Sequence, residues 1–287
     1  MLKMKRSELG EQLAALQRAM KDTDKSLLVL ISGWESVGKG VVLNDLVREL
    51  DPRYYRFSEF GPASEEDRKH PFLWRFFNEF PEHGRMAIFD HSYYMDLMHD
   101  PDLDELGFSR RVKDIAFIER MLTDDGCLVM KFFLDQSKES MEKNIRRLDE
   151  DERLHFRLMP FDRFQLEHYK GFRAHFERTL EATSSLDCPW YVIDMEDSKD
   201  ASTKVLTAII HSLTWHLNEN NDQNMQILPP VASRPMYNLD LTKTISRKDY
   251  SKRLEPLQEE ARILMYHLYR SGIPVVAAFE GTDAAGK

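Results

Sequence analysis

The stretch that most limits how this chain can fold runs from Leu27 to Leu50. An unbroken apolar segment, Leu27-Leu28-Val29-Leu30-Ile31, is followed by SGWESVGKG and then by Leu43, Leu46, Val47 and Leu50 at helical spacing. So short a run without alternation suits a strand covered on both faces, as parallel sheets require. The loop between strand and helix fits G-x-x-x-x-G-K-[ST] through Gly33, Gly38 and Lys39, with Gly40 where the hydroxyl residue would stand. In such a loop glycines let backbone N–H groups approach phosphate oxygens, the helix presents its positive end, and the lysine adds a mobile charge. Phosphate binding by Gly33, Gly38, Lys39 and Gly40 is therefore expected. Because Gly40 offers no hydroxyl to a magnesium ion, Glu35 inside the loop is the local candidate for that duty.

The alternation continues downstream. Strands are expected over Tyr54–Phe60, Arg85–Asp90, Leu128–Leu134 and Pro189–Met195. Helices are expected over roughly 109–123, 137–148, 162–182 and 199–216, and Leu9, Leu13, Leu16 and Met20 mark an opening helix. This order predicts an α/β fold with a parallel sheet flanked by helices. After about Leu217 the composition turns polar with paired prolines, NENNDQNMQILPPVASRP, which reads as a linker over 217–245. Beyond it the beginning repeats: with Gly281 set on Gly33, Leu257 falls on Leu9, Leu264 on Leu16 and Lys287 on Lys39. Residues 1–216 are thus expected to form one unit. Residues 246–287, ending in EGTDAAGK, then supply the first helix, strand and phosphate loop of a second, within a longer parent chain.

Composition narrows the partners. The 287 residues are 42% hydrophobic, enough for a sizeable core, and no apolar run approaches a membrane span. A net charge of −9 argues against broad nucleic-acid binding, so a polyanion must meet a local cluster of positive charge. Two cysteines, Cys127 and Cys188, give no disulfide framework or metal-ligand spacing and fit a reducing cytoplasm. Cations between positions 138 and 163, among them Arg146, Arg147 and Arg157, could close over phosphates as a lid. Acids match them one for one, so a salt-bridged, solvated helix stays equally open. Asp90, ending Met86-Ala87-Ile88-Phe89, stands where a strand-end carboxylate holds magnesium, or where a turn residue would sit. The ten histidines show no ligand spacing and are expected in structural or surface roles.

Several motifs in order now point to a family: GWESVGKG, ELDPRYYRFSEFGPASEEDRKHPFLWRF, IFDHSYY, AFIERMLTDDG, VMKFFLDQSKE and LEATSSLDCPWYVIDMEDSKDA. The chain resembles the polyphosphate kinase 2 family, and within it the tandem-domain type that acts as polyphosphate:AMP phosphotransferase. The resemblance implies a P-loop kinase-like, three-layer sandwich with a helical lid, and magnesium-dependent phosphoryl transfer between inorganic polyphosphate and a nucleotide, AMP to ADP. It also leaves room for a homo-oligomer. It places Glu35 and Asp90 as metal-holding acids, Lys39 and the loop amides on phosphate, Arg75 among the catalytic residues, and Lys131, Arg146, Arg147 and Arg157 among the phosphate contacts.

The departures weigh against full activity. The family pattern FDRSWYNR reads FDHSYYMD here, with His91 and Asp96 at arginine positions, and Asn144 and Leu148 also stand where arginines are expected. Each lost charge-assisted phosphate contact is worth about 1.5–3 kcal/mol. An active phosphotransferase repeat and a weakened, polyphosphate- or nucleotide-binding half that supports a catalytic second repeat are both compatible with the sequence. An ordinary ATP-dependent nucleotide kinase is disfavoured by Gly40.

Overall fold

A computed structural model of the chain describes residues 6–152, 155–218 and 244–278. The chain divides into two compact units, Met1–Gln223 and Asn224–Lys287.

The first unit is built on five parallel strands: β1 (Ser26–Gly33), β2 (Tyr55–Glu59), β3 (Met86–Asp90), β4 (Cys127–Asp135) and β5 (Trp190–Asp194), in the order β2-β3-β1-β4-β5. All eight residues of β1 are buried, as its continuous apolar run requires of a strand with neighbours on both sides. Its register sets Ile31 beside Asp90 of β3 and Gly33 beside Leu134 of β4, so the carboxyl ends of the three central strands lie together.

Helices cover both faces. Helix α1 (Arg6–Met20) and helix α2 (Lys39–Val47) pack with α9 (Ser198–Asn218) on one side. On the other, α4 (Met95–Met98) and α5 (Glu105–Asp124) pack with α8 (Tyr169–Thr183), and a short α3 (Trp74–Phe77) follows β2. Leu9, Leu13 and Met20 of α1 are buried, as their spacing predicts. A smaller helical layer, α6 (Lys138–Glu150), a 3₁₀ turn (His155–Arg157) and α7 (Pro160–Glu167), follows β4 and reaches the loop after β1. The three-layer sandwich with parallel sheet and helical lid is therefore as expected.

The expected elements differ from the observed ones mainly at their ends. The helix read over 162–182 is two helices, α7 and α8, interrupted at His168. Helix α5 begins earlier than the apolar pattern, because the Asp104 carboxylate accepts from Gly107 N–H at 2.6 Å and caps the helix there.

In the second unit, α10 (Arg247–Ser271) is capped by Ser246 and ended by left-handed Gly272, and none of its residues is buried. Residues 273–278, where a strand was expected, have no regular structure. A strand exists only through a neighbour that accepts its hydrogen bonds. The expected second loop, Glu280–Lys287, lies outside the described residues, as does most of the expected linker.

Candidate active site

The loop from Gly33 to Gly40 leaves β1 at the middle of the sheet, and its glycines answer to different constraints. Gly33 has φ +152°, and a Cβ there would lie 2.4 Å from the carbonyl oxygen of Leu134 on the adjacent strand. Gly38, the residue before α2, has φ +91°, a left-handed conformation that side chains disfavour. Gly40, in contrast, has nothing within 4 Å of an added Cβ. The first N–H groups of α2 have no partner within their own helix and carry its positive end.

Lys39 is the hub of the site. Its Nζ lies 2.6 Å from His91 Nε2, 3.5 Å from Asp90 Oδ1 and 3.8 Å from Glu35 Oε2. Asp90 reaches it from the end of β3. His91 does so because it turns out of the strand at φ +56°, donating its own N–H to Ile31 at 3.2 Å. A second imidazole, His99, places Nε2 3.5 Å from Glu35 Oε1, and His91 Nε2 lies 3.7 Å from the same oxygen.

Burial sets the protonation of this cluster. It raises the Glu35 carboxyl, opposed by Lys39 and reinforced by Asp162 and Asp90. Burial, with Lys39 and His99 adding repulsion, holds His91 down to about 2; burial and Lys39 hold His99 down to about 4. Both imidazoles are therefore neutral near pH 7. Their approaches to Glu35 are contacts of a neutral ring, and the His91 lone pair accepts from the Lys39 ammonium.

The lid ties down the other side of the loop. Glu35 N–H donates to Gln165 Oε1 at 2.9 Å, and Gln136 Nε2 donates to the Glu35 carbonyl at 3.0 Å. The Ser36 hydroxyl donates to Asp162, which also accepts from Met159 N–H at 2.6 Å at the start of α7. Trp34 stacks on Tyr169 at 4.4 Å and donates its indole N–H to Asp135 at 2.8 Å. These partners come from residues far along the chain; Asp135 and Gln136 lie in the VMKFFLDQSKE motif, while Gln165 and Tyr169 carry no sequence signal of their own.

The remaining expected site residues stand elsewhere. Arg75 donates to the Gly61 carbonyl at 2.8 Å and lies over the Phe76 ring at 4.8 Å, with Nη2 3.7 Å from Asp96. Lys131 is fully buried in β4, donating to Glu119 at 2.8 Å, to the Thr183 carbonyl at 2.7 Å and to Tyr94 at 3.0 Å. All three of its protons are used, so in this structure it is a core ion-pair residue and not a phosphate contact. Arg146, Arg147 and Arg157 are exposed and bond to none of the loop residues. Of the two readings left open for the lid, the salt-bridged one describes Arg163, which pairs with Asp149 at 2.8 Å, and Lys138, 3.8 Å from Glu142.

The arginine-to-other departures are absorbed into the structure. Asn144 donates to Gln136 at 3.1 Å, Leu148 is buried, and Asp96 faces Arg75. For a magnesium ion, the two carboxylates of Glu35 and Asp90 on either side of Lys39 are a suitable oxygen donor set, and Asp90 Oδ1 is buried without a hydrogen-bond donor.

Strand, glycine loop and capping helix at the centre of a parallel sheet define a P-loop-type α/β protein. The Polyphosphate kinase 2 family profile matches residues 2–221. The chain belongs to the polyphosphate kinase 2 family. It is 30% identical over 275 residues to a polyphosphate:AMP phosphotransferase of Pseudomonas syringae pv. tomato, covering 92% of this chain and 55% of that protein. A protein of the same description from Pseudomonas aeruginosa is 29% identical over 98% of this chain and 58% of its own length. The chain thus spans little more than half the length of these relatives. The crystal structure of polyphosphate kinase 2 from Arthrobacter aurescens TC1 superposes with TM-score 0.70 at 24% identity, over 73% of this chain and 77% of that one. Among the described residues no helix is long and apolar enough to cross a membrane.

Proposed function

We propose that this chain carries out phosphoryl transfer between inorganic polyphosphate and a nucleotide, converting AMP to ADP. The observation that carries the reading is the position of Lys39: it opens α2 at the centre of the sheet's carboxyl edge, with Glu35 and Asp90 within 3.8 Å. The loop amides and Lys39 would hold the transferred phosphate, and the lid residues that now bond to the loop would exclude water around it. Glu35 and Asp90 would hold magnesium, which when bound offsets charge on the phosphate oxygens. Arg75 Nη2 is buried without a hydrogen bond and faces Asp96 across 3.7 Å, so an anion there would compete with that carboxylate for it. Residues 246–287 are read as the opening of a second, similar unit.

Incubating the chain with magnesium, polyphosphate and AMP and separating the nucleotides by chromatography tests this. ADP should accumulate, and Lys39→Ala should cut the rate by at least about a hundredfold, since positioning and charge dominate this chemistry. A second reading is favoured by the internal commitments of Asn144, Leu148 and Asp96: a half that binds polyphosphate or nucleotide without turnover. No ADP together with Lys39-dependent polyphosphate binding would select it. Neither turnover nor loop-dependent binding would sink both.

A further inference from the structure

Two imidazoles and one carboxylate meet at the loop, and that donor set is not the one magnesium prefers. Glu35 Oε1 lies 3.5 Å from His99 Nε2 and 3.7 Å from His91 Nε2, and one donor atom from each residue falls within 4.8 Å of the others. The two rings stand nearly perpendicular, at 81° with centroids 5.3 Å apart. We propose that Glu35, His91 and His99 form a binding site for a divalent transition-metal ion of the zinc, cobalt or nickel kind.

The carboxylate already stands close to bonding geometry with each ring, while the two imidazole donors, within 4.8 Å of each other, must draw together further. Bonds of about 2.1 Å in a tetrahedral site place ligand atoms about 3.4 Å apart, so two of the three separations need to close by only a few tenths of an ångström. Imidazole suits these ions, whereas magnesium prefers oxygen donors and keeps its waters. The protein offers three ligands, which leaves a fourth position for water or a phosphate oxygen, the arrangement of metal sites that act on a ligand. One group opposes entry: the Lys39 ammonium at 2.6 Å holds the His91 lone pair that the ion would take. Metal and ammonium therefore compete for one nitrogen. Removing the lysine should strengthen metal binding, the opposite of its effect on phosphate. The inference needs no phosphoryl transfer, though it shares Glu35 with the proposed magnesium set, so the two ions would compete for that carboxylate.

Cobalt(II) titrated into the whole chain in excess magnesium, without nucleotide or polyphosphate, provides the test. Visible absorption bands reporting low-coordinate cobalt should saturate at one ion per chain. His91→Asn, chosen because asparagine tolerates the left-handed backbone at His91, and His99→Gln should each weaken binding at least tenfold, and Lys39→Ala should tighten it. Thermal unfolding of each variant separates lost ligands from lost fold. No saturable cobalt spectrum, or wild-type affinity in both folded histidine variants, would overturn the proposal.

Discussion

Lys131 shows how one residue can be legible by likeness and misread by role. Its motif sets it among phosphate contacts, yet Leu30 lies beside it in the sheet and Glu119, Tyr94 and Thr183 use every proton it has. Removing one partner of such a pair leaves the other charge buried alone. Lys131→Met should therefore cost about 3–5 kcal/mol, read as a lower denaturation midpoint in urea, and adding Glu119→Gln should return a large part of it. The two cysteines allow a sharper check. Burial pushes both thiols up to about 12 from an ordinary 9.0, and the thiolate is the reactive form. Neither should be alkylated at pH 8 in the folded protein, as mass spectrometry would show, whereas both react once it unfolds. Because the folded state holds these protons more tightly, they favour it below pH 9 and that advantage fades as pH climbs from 9 toward 12.

At the scale of the element, the passage from β1 through the loop to α2 separates glycines that look alike in sequence. Gly33→Ala places a Cβ against the Leu134 carbonyl and should destabilise the fold by at least about 2 kcal/mol. Gly40→Ser enters open space in the first turn of α2 and should be neutral or stabilising by up to about 0.5 kcal/mol, in the same thermal unfolding assay. The central strands were readable because an apolar run without alternation has one good home, and the loop because glycine and lysine spacing is local. His99 was not. It follows the short α4, outside any motif, and gains meaning only where the fold sets it against Glu35 and His91. Gln165 shares that limit: its partner in the loop lies 130 residues away in sequence. The break between α7 and α8 is similarly hidden, since apolar spacing persists through His168 while the backbone turns.

For the whole molecule, burial is concentrated in the first unit. Among the described residues, every buried residue of the apolar core lies between Leu9 and Leu213, and α10 buries no side chain. Amide hydrogen exchange should accordingly separate them, with protons of β1, β3 and β4 outlasting those of Arg247–Ser271 by orders of magnitude, because exposed helices open locally. Comparable protection in α10 and β1 would contradict this. The supports of the loop have the same unevenness. Asp90 and the root of the loop ride on adjacent strands locked in register, while Gln136, Asp162 and Gln165 grip the loop through single hydrogen bonds. A vice assembled in this way has one fixed jaw and one sprung jaw, so a guest wide enough to force it open must do so from the side of α7.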